Sequence, residues 1–324
     1  MSTPAVSVII CVYTEERWDF TLAAIDSARR QSLPPEEVLV VVDHNPRLLD
    51  RLAGADLGVR VLANAEEKGL AGGRNTGIAA ARGEFVAFLD DDAAADADWL
   101  ALMVADMRDR PEIVAVGSRV DPVWLGVRPR WFPDELLWTV GCSYRGQPRA
   151  SGAVRNPMGG AMVARKSMFE RVGGFSARLG RTGTELPLSC EETELCIRAQ
   201  DAIPGAIFWY EPAAFIRHRV AADRLTWRYL LRRCYAEGLS KAVVAHMAGH
   251  AKLGTEWKYT LVTLTSGVAR GLGDALFRLD PAGLQRATAI AAAFAAAAAG
   301  FVVARFTILR RPATGPARAP TSAS

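Results

Sequence analysis

Residues 85–92 read Phe85-Val86-Ala87-Phe88-Leu89-Asp90-Asp91-Asp92, and this stretch decides the fold. Five apolar residues in a row have the length of a strand buried on both faces, as in a sheet covered by helices. Three adjacent carboxylates follow, and they repel one another unless a cation neutralises them. In an open α/β sheet, ligands sit beyond the carboxyl ends of the strands. The triplet therefore points into a candidate site, and a hard divalent metal is its natural counter-ion. A polar turn ending in a helix N-cap is the competing reading, because Asp caps helices well.

Upstream of this stretch, short β-rich runs alternate with helical ones. Val6–Val12 reads as the first strand, residues 21–31 as a helix, Glu37–Val42 as a strand and residues 59–63 as another. A glycine-rich segment, Lys68 to Gly77, then leads to a helix expected over residues 75–82. Strand and helix in alternation predict a doubly wound α/β fold with a mostly parallel sheet. The glycines are expected to form a loop with exposed backbone donors, and Arg74 to supply a fork suited to phosphate. That segment has neither the Walker lysine pattern nor the G-x-G-x-x-G fingerprint.

Composition bounds the rest. The chain has 324 residues, half of them hydrophobic and 23% charged, which is globular material for one large domain or two smaller ones. The net charge is +4. Arginines gather in the C-terminal half at Arg217, Arg219, Arg224, Arg228, Arg232 and Arg233, which suggests an anionic partner. No nucleic-acid motif is recognisable, so nucleic acid is not expected, and small-ligand phosphates or a membrane surface are. Cys11, Cys142, Cys190, Cys196 and Cys234 lack metal-ligand spacing and any C-x-x-C, so reduced cytosolic thiols are expected.

Residues 93–220 mix Trp and Pro with isolated helices, and Trp124, Trp131, Trp138 and Tyr144 fall in a proline-interrupted stretch. Core packing and a sugar platform are both open for these aromatics. From Ala221 the chain turns helical, with Trp227, Leu230, Leu231 and Cys234 on one face and arginines nearby. A basic amphipathic helix suits an anionic membrane surface, and a helix packed on the catalytic domain with solvated arginines is the alternative. Residues 287–304 are Ala-rich, almost uncharged and flanked by arginines, long enough just to span a bilayer. Alanine is only weakly apolar, so peripheral association is favoured over a span. The Pro, Ala, Thr and Ser tail from 312 to 324 is expected to be disordered.

Taken in order, Val12-Tyr13-Thr14-Glu15, Val42-Asp43-His44-Asn45, the Gly69 to Gly77 segment with Arg74-Asn75, and Phe88-Leu89-Asp90-Asp91-Asp92 resemble the family 2 glycosyltransferases. Further on, Gly173-Gly174-Phe175 and Cys190-Glu191-Glu192-Thr193-Glu194-Leu195 fall where that family has its glycine turn and acidic motif. The resemblance covers residues 5 to 220 and implies a GT-A catalytic domain over 1–220. Its nucleotide-sugar half would end near residue 92 and its acceptor half would fill 93–220, with a helical, membrane-associated region over 221–311.

The resemblance implies that Tyr13, Glu15, Asp43, Arg74 and Asp91 bind the donor, a nucleotide-sugar for which UDP is the family-level expectation. It implies that Asp90 and Asp92 bind Mg²⁺ or Mn²⁺ and that His218, following a strand at Ala206–Tyr210 with its Glu211-Pro212 continuation, reaches the metal or the diphosphate. Asn156, Gly159 and Gly160 would shape the pocket for a glycan or polyprenyl-linked acceptor. The family's general base is usually the Asp of a Glu-Asp pair, whereas this chain has Glu191-Glu192. Glu192 is the chosen base, with Glu191 or Glu194 as substitutes. The implied enzyme is an inverting, metal-dependent transferase at the inner face of the cell membrane. The rivals are a nucleotidyltransferase and a non-catalytic sugar-nucleotide or glycan-binding membrane subunit.

Overall fold

The computed structural model describes residues 4–177, 179, 189–248 and 259–308. Nine strands form one sheet: β1 Val6–Val12, β2 Glu37–Val42, β3 Arg60–Ala63, β4 Phe85–Leu89, β5 Ala93–Ala95, β6 Ile113–Trp124, β7 Gly152–Val154, β8 Ala161–Arg165 and β9 Ile207–Val220. Their order is β3-β2-β1-β4-β8-β6-β9-β5, with β7 also paired to β9. The first four strands in space are parallel, and β8 joins β4 antiparallel. β4 is buried along its whole length, as its unbroken apolar run requires, because helices cover both faces of the sheet.

Helices α1 Trp18–Arg29, α2 Pro46–Ala53, α3 Leu70–Ala80, α4 Trp99–Arg108, α5 Lys166–Val172 and α6 Glu191–Ala202 follow in chain order. α2 begins at Asn45, whose side chain accepts from the Leu48 amide at 3.1 Å, with Pro46 in its first turn. The expected glycine loop is instead the first half of α3, and Gly72, Gly73 and Arg74 are buried. A Cβ on Gly77 would come 2.6 Å from the Ile9 side chain, and one on Gly73 would come 3.2 Å from Cys11 Sγ. These two glycines lie four apart, on one helical face, and let α3 press against β1. Their spacing was the signal for a helix rather than a loop.

β9 is also longer than expected. It continues past Tyr210 through a bulge, where pairing to β6 moves from Ser118/Glu211 to Arg119/Phe215. Pro212 sits inside that bulge, where no ladder hydrogen bond is required of it. His218 is therefore a strand residue, paired to Ala93 of β5 and lying beside the triplet, rather than a loop residue beyond the last strand.

Among the described residues three long helices follow: α7 Trp227–Ala248, α8 Thr265–Phe277, entered through a π-helical turn at Tyr259–Leu264, and α9 Pro281–Ile308. α9 runs antiparallel to α7 at backbone contact. A Cβ on Gly238 would meet the Ala297 carbonyl oxygen at 1.9 Å, and one on Gly300 would meet that of Tyr235 at 2.1 Å. Leu264, Ala289, Ile290 and Ala293 join the core built on Leu136, Leu137 and Leu230, so these helices share a core with the sheet domain. Over its 28 residues α9 is about 42 Å long, apolar enough to cross a membrane and one-third buried in its most apolar window. The tail expected to be disordered lies outside the described residues.

Candidate active site

The carboxyl ends of β1, β2 and β4 open into a cavity of about 1330 Å³. Tyr13, Asp43, Arg74, Asp91, Asn156, Gly159 and Gly160 line it together with Asp90, Asp92, His218, Glu191 and Glu192. Glu15 does not line it. That residue lies in the turn after β1 and pairs with Arg51 of α2 at 3.6 Å.

Asp90 is held at the cavity wall by a close backbone approach, since a Cβ on Gly160 would fall 2.2 Å from Asp90 Oδ2. Asp91 and Asp92 are buried. Arg17 Nη1 donates to Asp91 Oδ1 at 2.8 Å and stands 3.1 Å from Asp92 Oδ2. Burial pushes Asp91 up to about 6, with its acidic neighbours adding to the rise and Arg17 opposing it. Burial would raise Asp92 too, yet its hydrogen bond with His218 and the Arg17 and Arg224 guanidinium charges hold it well below the usual carboxylate range. His218 Nδ1 lies 3.0 Å from Asp92 Oδ1, and Arg224 Nη2 lies 3.6 Å from Asp92 Oδ2.

One ligand atom each from Asp90, Asp92 and His218 lies within 4.8 Å of the others. Two carboxylate oxygens and one imidazole nitrogen form a donor set that fits a divalent cation of the Mg²⁺ or Mn²⁺ kind, and the imidazole favours the softer Mn²⁺. Asp91 Oδ2 is buried without a hydrogen-bond partner, which leaves an anionic oxygen unsatisfied beside that set.

Asp43 is fixed at the end of β2. It accepts from Asn64 Nδ2 at 2.7 Å and from the Gly69 amide at 3.1 Å through Oδ1 and 3.0 Å through Oδ2. Arg74 is buried under the site, 3.7 Å from Asp90 and 3.4 Å from Glu191, with its guanidinium over Phe175. It ties the triplet to the acidic motif and does not project as a free phosphate fork.

The acidic motif opens α6. Burial, then the neighbouring Glu191 carboxylate, push Glu192 up to about 7. Glu194 is directed elsewhere, both its oxygens accepting from Arg198 at 2.8 and 2.7 Å, and Arg198 also caps the glycine turn by donating to the Gly174 carbonyl at 2.9 Å. Geometry removes Glu194 as a substitute base. Glu192 thus combines cavity exposure with a proton affinity near neutrality, the condition for a general base.

Residues not anticipated from the sequence complete the wall. Arg17 lies four residues past Tyr13, with its guanidinium over the Tyr13 ring, and its position after a strand end was the available signal. Arg224 and Arg233, legible in the sequence only as part of an arginine group suited to small-ligand phosphates or a membrane surface, face the cavity. Glu237 of α7 accepts from Ser189 Oγ at 2.7 Å and from Cys190 Sγ at 3.3 Å. Although buried, it is drawn down to about 2 by Lys241 and Arg233 with those two hydrogen bonds. Trp138 and Tyr144 line the cavity, whereas Trp131 stacks on Trp227 at 4.6 Å in the core. All five cysteines are free, and burial raises Cys11, Cys142 and Cys234 to about 12, which leaves them unreactive as nucleophiles.

Residues 7–173 match the family model described as glycosyl transferase family 2. A glucosyl-dolichyl phosphate glucuronosyltransferase of Haloferax volcanii is 33% identical over 74% of this chain and 77% of its own. A pre-mycofactocin glycosyltransferase of Mycobacterium tuberculosis is 29% identical over 75% of this chain, which spans only half of that relative's length. Among solved structures, the mannosyltransferase PcManGT of Pyrobaculum calidifontis in complex with GDP-Man and Mn²⁺ superposes with a TM-score of 0.61. It is 20% identical and covers 93% of this chain and 88% of its own, a likeness that shows the GT-A fold.

Proposed function

Because this chain belongs to glycosyl transferase family 2 and is a glycosyltransferase, we propose that it is an inverting, divalent-cation-dependent enzyme. In this reading it moves a sugar from a nucleoside diphosphate sugar to a hydroxyl of a glycan or lipid-linked acceptor. The observation that carries the reading is the meeting, in one cavity, of the Asp90, Asp92 and His218 donor set with Glu192, whose carboxyl is pushed up to about 7.

Asp90, Asp92 and His218 would hold the cation, Mn²⁺ in preference to Mg²⁺. When bound it supplies Lewis-acid stabilisation of the charge that grows on the diphosphate leaving group. In this reading Asp43 and Tyr13, which line the cavity at the ends of β2 and β1, would contact the nucleoside, and Arg17 and Arg224 add positive charge beside the triplet. Glu192 takes the proton from the acceptor hydroxyl, whose oxygen attacks the anomeric carbon as the sugar–phosphate bond breaks. One displacement inverts the configuration without a covalent enzyme intermediate. A nucleotidyltransferase would leave Glu192 without a role.

The Haloferax relative's name supports a lipid-linked acceptor. The exposed apolar faces of α8 and α9 support residence at a membrane surface, and the free cysteines fit its cytoplasmic side. A span is disfavoured, because residues 297–300 of α9 lie against the part of α7 that carries Arg232, Arg233 and Glu237. We propose residues 1–220 as the catalytic domain and 221–308 as the membrane-associated part. The test is nucleoside diphosphate release from UDP-, GDP- and dTDP-sugars with and without Mn²⁺. The expected result is release with one donor, metal-dependent and lost in Asp92→Asn; metal-independent release, or release retained in that variant, would overturn the mechanism.

A further inference from the structure

The cavity extends well past the reacting groups. From Glu192 its wall runs through Ser189 to Arg233, whose Nη1 donates to Ser189 Oγ at 2.9 Å. The Arg233 guanidinium lies over Trp138, and Trp138 Nε1 donates to Tyr259 OH at 3.0 Å. Val262 and Thr263, on the next turn, complete that end of the wall. The loop bearing Gly146 lies tight against it, since a Cβ there would approach Thr263 to 2.9 Å. A cationic stretch of wall therefore gives way to an apolar one within a single cavity.

Two observations define the occupant. Arg233 and Lys241 both face the cavity and flank Glu237 at 3.5 and 3.8 Å, and Arg233 Nε is buried without a hydrogen-bond partner. At the other end the apolar surface does not stop at the cavity. Leu261 and Val262 are 59% and 56% exposed, and beyond the exposed Thr265, Ser266, Ala269 and Arg270 of α8 the apolar surface resumes at Leu272, Leu276 and Phe277. A sugar acceptor alone needs no such track, whereas an anionic head with a long apolar chain matches both ends.

Resting on the lipid-linked acceptor reading above, we propose that this end of the cavity is an acceptor subsite for a lipid phosphate. Arg233 and Lys241 receive the phosphate, and the hydrocarbon chain leaves between Tyr259 and Val262 onto the exposed face of α8. The subsite places the head of the acceptor next to Glu192 while its chain lies in the membrane surface. The membrane-associated helices thereby form part of the acceptor site.

The test is photolabelling of the full chain with a diazirine analogue of farnesyl phosphate, followed by peptide mapping. Labelling is expected over residues 259–264 and along α8. Farnesyl phosphate should suppress it at least tenfold, while farnesol, inorganic phosphate and phosphatidylglycerol vesicles should leave it largely intact. Val262→Asp, a substitution at an exposed position, should weaken farnesyl phosphate binding about tenfold with an unchanged circular dichroism spectrum. Absence of label at 259–264, or equal suppression by farnesol or by the vesicles, would overturn the subsite, the vesicle result making the contact one of membrane headgroups. Mn²⁺-dependent nucleoside diphosphate release in the same preparation reads the transferase assignment separately. Intact release without labelling sinks the subsite alone, whereas no release with any donor removes the ground for both.

Discussion

Arg17 Nη1 lies 2.8 Å from Asp91 Oδ1, and the same nitrogen reaches Asp92 at 3.1 Å, so one guanidinium bridges two adjacent buried carboxylates. Without that cation Asp91 would lose its ion-pair partner while buried beside Asp92, which keeps Arg224 and His218, and a buried charge is costly once its partner is removed. Arg17→Met should therefore lower stability by about 2 kcal/mol, reduced from the buried-pair range because Arg17 retains some solvent contact. For a chain of this size that is about 3 °C in melting temperature. Mn²⁺ should raise the melting temperature of the variant more than that of the parent, which thermal unfolding with and without the ion would show. Equal shifts in both would mean that Arg17 does not share the cation's role.

Glu192 carries the pH dependence. Its carboxyl is raised from 4.5 to about 7 by burial and by Glu191. A base works deprotonated, so the transfer rate should climb with pH and level off above about 7. The sign for stability is opposite. The folded state holds this proton more tightly than the unfolded chain does, so the contribution is full below 4.5 and is lost as pH rises through about 7. Glu192→Gln should cut kcat by about 10²–10⁴ and abolish the rising limb of the rate profile. Glu194→Gln should lower the melting temperature through loss of the Arg198 clamp while keeping that limb.

Gly160 is where a single methyl group tests the metal site. A Cβ there would collide with the Asp90 carboxylate at 2.2 Å, whereas one at Gly152 would meet nothing within 4 Å. Gly160→Ala should weaken Mn²⁺ binding at least tenfold by calorimetry, and Gly152→Ala should match the parent.

The contact between α7 and α9 is equally exact in its demand for small residues. Gly300→Val would drive a side chain into the Tyr235 carbonyl and should cost about 1–3 kcal/mol, the usual range for overpacking. Hydrogen exchange should accelerate over α9 and leave the β1 to β4 sheet unchanged. Uniform acceleration across both would show that the helices and sheet unfold as one unit.

The alternation of apolar strands with helices, the carboxylate triplet after β4 and the acidic opening of α6 are local patterns. Periodicity and charge repulsion act between near neighbours, so the chain by itself determined the α/β class and the triplet's place at a strand end, whereas Glu192 was singled out only through the resemblance of its acidic motif to that of the family. The role of the Gly69 to Gly77 segment was not local. Whether glycines open a loop or admit a strand depends on what packs against them, and contact with Ile9 and Cys11 made a helix. Likewise, no local pattern says that Arg17 crosses to Asp91, that Glu15 turns away to Arg51, that Glu194 is taken by Arg198, or that a bulge at Pro212 carries His218 to Asp92. Each joins residues far apart in the chain or in competition for one partner. Only the closure of the sheet and its helices, which fixes the distances over which charges act, decided among them.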